Sequence, residues 1–141
     1  MSPLRIAVIV FMALELANVT ALYFAPGSRK FNALGVFRAW DGPDNPPEVR
    51  ELLAYLSEWV AGVKLIFLAL LGVLVWAADE ALLRTAVIAL VAAIAVFYWR
   101  MFPRARRMDA AGQLEPAGYS RTVGLMVGSL MAGLVAALFM G

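Results

Sequence analysis

Four apolar runs, at about 5–24, 59–78, 81–102 and 120–140, alternate with segments rich in charge, proline and glycine. That pattern leaves the chain little choice of fold. Crossing roughly 30 Å of hydrocarbon at about 1.5 Å per residue takes about 20 helical residues, which is the length of each run. Of the 141 residues, 63% are hydrophobic and 16% charged, too few charges to cover a soluble domain of this size. The expectation is an all-α, polytopic integral membrane protein forming one four-transmembrane-helix bundle. Connections 25–58 and 103–119 use up the rest of the chain, and no second domain fits.

The ends of the runs carry their own signals. The first closes on YFAPG, where Tyr23 suits the membrane interface and Pro26 and Gly27 stop a helix. The third closes on FYWRMFP, where Tyr98, Trp99 and Arg100 suit the headgroup region and Pro103 is expected to end the helix. Arg29, Lys30, Arg38, Arg50, Arg100, Arg104, Arg106, Arg107 and Arg121 flank the two long connections, against Arg5 and Arg84 on the other face. The excess of basic residues on cytoplasmic flanks then orients both connections to the cytoplasm and both termini outward, in a membrane of bacterial inner or plasma type. Glu15 breaks the apolar core a signal peptide would need, so the first run reads as a retained span. The NVT triplet at Asn18 falls inside that span and is not a glycosylation site.

Ahead of the second run, DNPPEVRE places Asn45 three residues before Glu48, with Pro46 at a first helical position. This capping-box pattern predicts a helix unbroken to Ala78, with a cytoplasmic amphipathic extension before the membrane. Val49, Leu52, Leu53, Leu56 and Val60 form one side of it, and Glu48, Arg50, Glu51, Ser57 and Glu58 the other. FNALGVFRAW, residues 31–40, suggests a helix lying in the interface plane. Both amphipathic segments are expected to cover the protein's own rim or to meet a partner. The turn at Asp79 and Glu80 is so short that the second and third spans are expected to be antiparallel neighbours. Asp41 and Asp44, set among prolines, read as a turn rather than a calcium loop.

Composition narrows the chemistry. The chain has no cysteine and no histidine, which removes disulfides, thiolate or imidazole metal ligands and histidine-based catalysis. No metal site or cofactor is expected, and no acid–base or nucleophile set marks an enzyme. A net charge of +2 does not suggest nucleic acid. The anomalies are instead Glu15 and Asn18 in the first span and Lys64 in the second, since ionisable groups inside a membrane are costly and mark functional positions. Counted from the cytoplasmic edge, Glu15 lies about 13 Å deep and Lys64 about 8 Å. Helical side chains lean toward their own N-terminus, so these two lean apart in antiparallel helices. Asn18 is therefore the expected direct partner of Lys64, with Glu15 reached through water or a bent lysine stem. Lys64 snorkelling to the interface and Glu15 hydrogen-bonded as a neutral acid are the plainer readings.

Two further patterns concern packing and lipid. Gly124, Gly128, Ala132 and Ala136 recur at four-residue steps in the last span, with Ser129, Gly133 and Ala137 beside them. Small residues let helix backbones meet in lipid, either within one bundle or between subunits. Arg104, Arg106 and Arg107 in RMFPRARR suit anionic headgroups or phosphate. Two functions follow as expectations. The first is a non-catalytic packing or accessory protein, a homo-oligomer or bound to another membrane protein, with membrane lipids as its other partner. The second is a small ion- or proton-coupled transporter or channel using Glu15 with Asn18 and Lys64.

In chain length, span number and a single acid in the first span, the sequence resembles the small multidrug resistance transporters. It departs from them in its long first connection, in Lys64 and in a charge bias that fixes one orientation. No site residue is carried over from that family.

Overall fold

The computed structural model describes residues 1–43 and 45–140, so Asp44 lies outside the described residues. These residues form five α-helices: α1 (Pro3–Phe24), α2 (Arg38–Asp41), α3 (Pro47–Ala77), α4 (Glu80–Ala110) and α5 (Tyr119–Met140), with a 3-10 turn at Leu34–Val36. The fold is all-helical, and α1, α3, α4 and α5 are long and apolar enough to cross a membrane.

Local chemistry sets the helix ends. Ser2 accepts the Arg5 amide at 3.3 Å and Pro3 opens α1, so an otherwise unpaired first-turn donor is satisfied. Asp79 does the same for α4, accepting the Leu82 amide at 2.8 Å. The expected capping box of α3 does not form. Pro46 precedes Pro47 and is held extended, at φ −57 and ψ 143, because a residue before proline is driven out of the helical region. The helix therefore starts at Pro47, and the Asn45 side chain donates from Nδ2 back to the Ala39 carbonyl at 2.5 Å.

Pro103 does not end α4 either. It costs one backbone hydrogen bond, but the following Arg104, Ala105, Arg106 and Arg107 are good helix formers, and α4 continues to Ala110. There it stops in a Schellman motif. Gly112 takes the left-handed conformation, its amide reaches Asp109 and that of Gln113 reaches Met108. At 31 residues each, α3 and α4 are about 46 Å long, several turns more than the hydrocarbon needs. The last two turns of α4, with Arg104, Arg106, Arg107 and Asp109, extend past its apolar stretch.

The order of packing differs from the expectation. Despite the tight turn between them, α3 and α4 barely touch: α3 packs on α1, α4 packs mainly on α5, and α1 contacts all three other long helices. Arg5 accounts for the separation at the turn. Its guanidinium donates to the carbonyls of Val75 and Ala78 and lies 4.0 Å from Glu80, so α1 enters where the two helices would otherwise close. One core cluster, including Leu4, Val8, Phe11, Leu83, Val87 and Leu134, fills this end; a second, including Val19, Leu22, Ala33, Ala61 and Leu68, fills the other.

Residues 31–40 form no single interfacial helix. Phe31 and Asn32 both have φ near +55, at 55 and 56, values that break a right-handed helix. The segment instead folds over the bundle end, burying Ala33, Val36 and Trp40. Gly35 permits this, because a Cβ there would stand 2.0 Å from the Gly27 carbonyl oxygen. The two connections then meet: Phe37 and Leu114 form an antiparallel bridge, the Arg38 amide donates to Gln113 at 3.0 Å and the Glu115 amide to Val36 at 2.8 Å. Together they close one end of the bundle.

Candidate functional site

Ala61 and Gly62 are the small residues that let α3 approach α1. Ala61 is fully buried, and a Cβ on Gly62 would lie 3.3 Å from the Tyr23 hydroxyl. Across this contact Lys64 Nζ lies 2.7 Å from Glu15 Oε2 and 2.6 Å from Asn18 Oδ1. The structure thus brings Glu15, Asn18 and Lys64 together and corrects one detail of the expectation. Glu15 is a direct partner of Lys64, with no intervening water required. Glu15 and Asn18 are one helical turn apart on the same face, and at this short interhelical distance the four-carbon lysine stem more than offsets the opposed side-chain lean.

The set is tied to the rest of the bundle. The Asn18 amide group donates to the carbonyls of Phe31 and, at 3.4 Å, Asn32. Those two residues carry the left-handed backbone, unusual for phenylalanine, and Asn18 gives their carbonyls a buried donor. The Asn32 side chain accepts the Tyr119 hydroxyl at 2.8 Å. Polar contacts therefore run from α3 through α1 and the first connection to α5. The Glu15 and Lys64 side chains remain 23% and 31% exposed, so one side of the pair opens outward. Chemically, the set is a carboxyl group and a side-chain amide already occupied by the tethered nitrogen of Lys64.

Different means hold α4 to α5. The Tyr98 hydroxyl donates to the Gly124 carbonyl at 2.6 Å. A Cβ on Gly124 would stand 2.5 Å from the Phe102 ring, and one on Gly128 would stand 2.9 Å from the Tyr98 hydroxyl. Gly124 and Gly128 thus serve packing inside the chain, while Ser129, Ala132 and Gly133 stay exposed. Beyond the apolar stretch, Asp109 clamps the start of α5. It accepts the Ser120 hydroxyl at 2.6 Å and the amides of Ser120 and Gly118, each at 2.9 Å. The Ser120 hydroxyl, then the Ser120 and Gly118 amides, hold its carboxyl below the ordinary aspartate range.

No family model, curated protein or solved structure matches this chain.

The apolar side that begins with Val49, Leu52 and Leu56 continues into the membrane-length part of α3. Val49, Leu52, Leu56, Trp59, Val63, Ile66, Leu70 and Val73 follow one another at alternating steps of three and four, and all are exposed. Buried Ala61 and Leu68 lie opposite, against α1. The period of the exposed row is 3.5 residues, the spacing of a left-handed coiled-coil seam. Counting heptads through Leu52 to Leu56 into the apolar run would have found it; reading the two segments separately hid it. Arg104, Arg106 and Arg107 are exposed on the extension of α4, apart from the Glu15 set.

Proposed function

We propose that this chain is a non-catalytic integral membrane packing or accessory protein, associating with itself or with a larger membrane complex along the outer face of α3. The observation that carries this reading is the exposed 3.5-residue row from Val49 to Val73. Over its apolar run α3 also exposes Val60, Leu65 and Phe67, as a lipid-facing helix does, and what the row adds is its continuation beyond that run. Here the row continues into turns where Glu48, Arg50, Glu51 and Glu58 occupy other faces, beyond what the hydrocarbon requires. A neighbouring helix of matching period covers such a seam. The basic residues flanking both connections support a cytoplasmic position for that end.

The transporter reading draws on Glu15, Asn18 and Lys64, and their geometry supports it less well. The Lys64 ammonium fills the place between Glu15 and Asn18 that a transported cation would occupy, leaving the set neutral and internally paired.

The test is the mass of the purified protein in mild detergent, with any co-purifying chain quantified. The native protein is expected as a discrete oligomer or a stoichiometric complex, and Ile66→Trp, at an exposed position of the row, is expected to dissociate it while the helical content holds. A native monomer without a stoichiometric partner, or a variant of unchanged mass and composition, would overturn the proposal.

A further inference from the structure

A cavity of about 670 Å³ opens between α4 and α5, on the side of their contact, within the size range of small-molecule sites. Tyr98 and Phe102 form one wall, and Gly124, Gly128 and Ala132 form the floor. Two of the lining hydroxyls are already committed, that of Tyr98 donating to Gly124 and that of Ser120 to Asp109. The mouth is different. Arg106 and Arg121 both line it, and neither pairs with a carboxylate among the described residues.

Length and charge together select the occupant. From Arg121 to Ala132 the groove follows α5 for about 16 Å at 1.5 Å per residue, close to half of the roughly 30 Å hydrocarbon thickness. It therefore runs from the turns beyond the apolar stretch of α4 to about the depth of one leaflet. We infer that this groove binds one anionic phospholipid, its phosphate held by Arg106 and Arg121 and an acyl chain laid along Leu125, Ser129 and Ala132. Guanidinium groups match phosphate oxygens in bidentate geometry. Phe102 and Tyr98 already occupy the space over Gly124 and Gly128, so the acyl chain runs beside these rings, over the exposed Leu125, Ser129 and Ala132. A loose basic surface would attract headgroups without such a groove, and Arg104 and Arg107, outside the groove lining, provide that comparison.

Native mass spectrometry of the full chain, released from micelles doped with equal amounts of dioleoylphosphatidylglycerol and dioleoylphosphatidylcholine, tests the inference. One retained phosphatidylglycerol per chain is expected, in preference to phosphatidylcholine. Arg106→Gln with Arg121→Gln should weaken retention by roughly 30-fold, about fivefold per arginine. Ala132→Phe, at an exposed position that keeps every charge, should also release the lipid, while Arg104→Gln with Arg107→Gln should leave it bound. Elution volume and circular dichroism report that each variant is folded. Equal retention of the two lipids would overturn the inference, as would an Arg104/Arg107 effect as large as that of Arg106/Arg121. Undiminished retention in Ala132→Phe would show a lipid merely adsorbed on a basic surface.

Discussion

The α1–α3 contact and the α4–α5 contact solve the same problem by different means. Two apolar helices gain little from meeting in lipid, because the lipid is as apolar as they are. Between α1 and α3 the specificity comes from charge and amides: Glu15, Asn18 and Lys64 at the centre and Arg5 at the turn. Between α4 and α5 it comes from shape, with Phe102 and Tyr98 seated on Gly124 and Gly128. The difference teaches that intramembrane charge need not mark a transport path. In this chain a polar set bridges α3 to α1, whereas glycines let α5 meet α4.

The sharpest break in the comparison is expected on the shape side. Gly124→Leu drives a side chain into the Phe102 ring, and overpacking of this kind costs about 2 to 3 kcal/mol; reversible unfolding in mixed micelles measures it. Gly133→Leu, where a Cβ would meet nothing within 4 Å, should leave that midpoint unchanged and so separates small residues used in packing from those that are merely small. Next in size, Arg5→Met removes the charged donor from the Val75 and Ala78 carbonyls. A loss of about 2 kcal/mol, with faster amide exchange at the end of α3, is expected; unchanged exchange would remove Arg5 from the polar side of the comparison.

Asp109 gives the smallest effect and joins the two sides, since it is a polar clamp at the shape-based contact. Its carboxyl is held low in the folded chain, so its stabilisation is present above the ordinary aspartate value and is lost as pH falls through the depressed folded value. Asp109→Asn should slightly lower the midpoint at neutral pH and flatten the part of the native protein's acid dependence that lies below about pH 4. A variant whose midpoint falls in parallel with the native protein's as pH drops would contradict the clamp.

Much of this was legible because hydropathy is a local property. The four spans and the unusual types Glu15, Asn18 and Lys64 need no tertiary information to be noticed. Side-chain reach needs more: the depth count separated Glu15 from Lys64 because it held the helices at an ordinary distance, whereas Ala61 and Gly62 bring them closer. Pro103 reads as a stop only while its one lost hydrogen bond is set above the helix formers that follow it. At Asn45 the reverse holds, because the restriction that Pro47 places on Pro46 overrides a capping pattern. Nothing in sequence order shows that α3 packs on α1 and not on α4, since the tight turn at Asp79 argues for α3 against α4. That arrangement depends on Arg5 reaching carbonyls some seventy residues away along the chain.

The central claim is that Glu15 and Lys64 stabilise the fold as a pair, and a double-mutant cycle measures this directly. The unfolding free energies of the native chain, Glu15→Gln, Lys64→Met and the double variant are compared in one mixed-micelle system. The pair as described predicts a coupling of about 1 to 2 kcal/mol, the double variant being more stable than the sum of the single losses implies. Losses that add to within about 0.5 kcal/mol would contradict it.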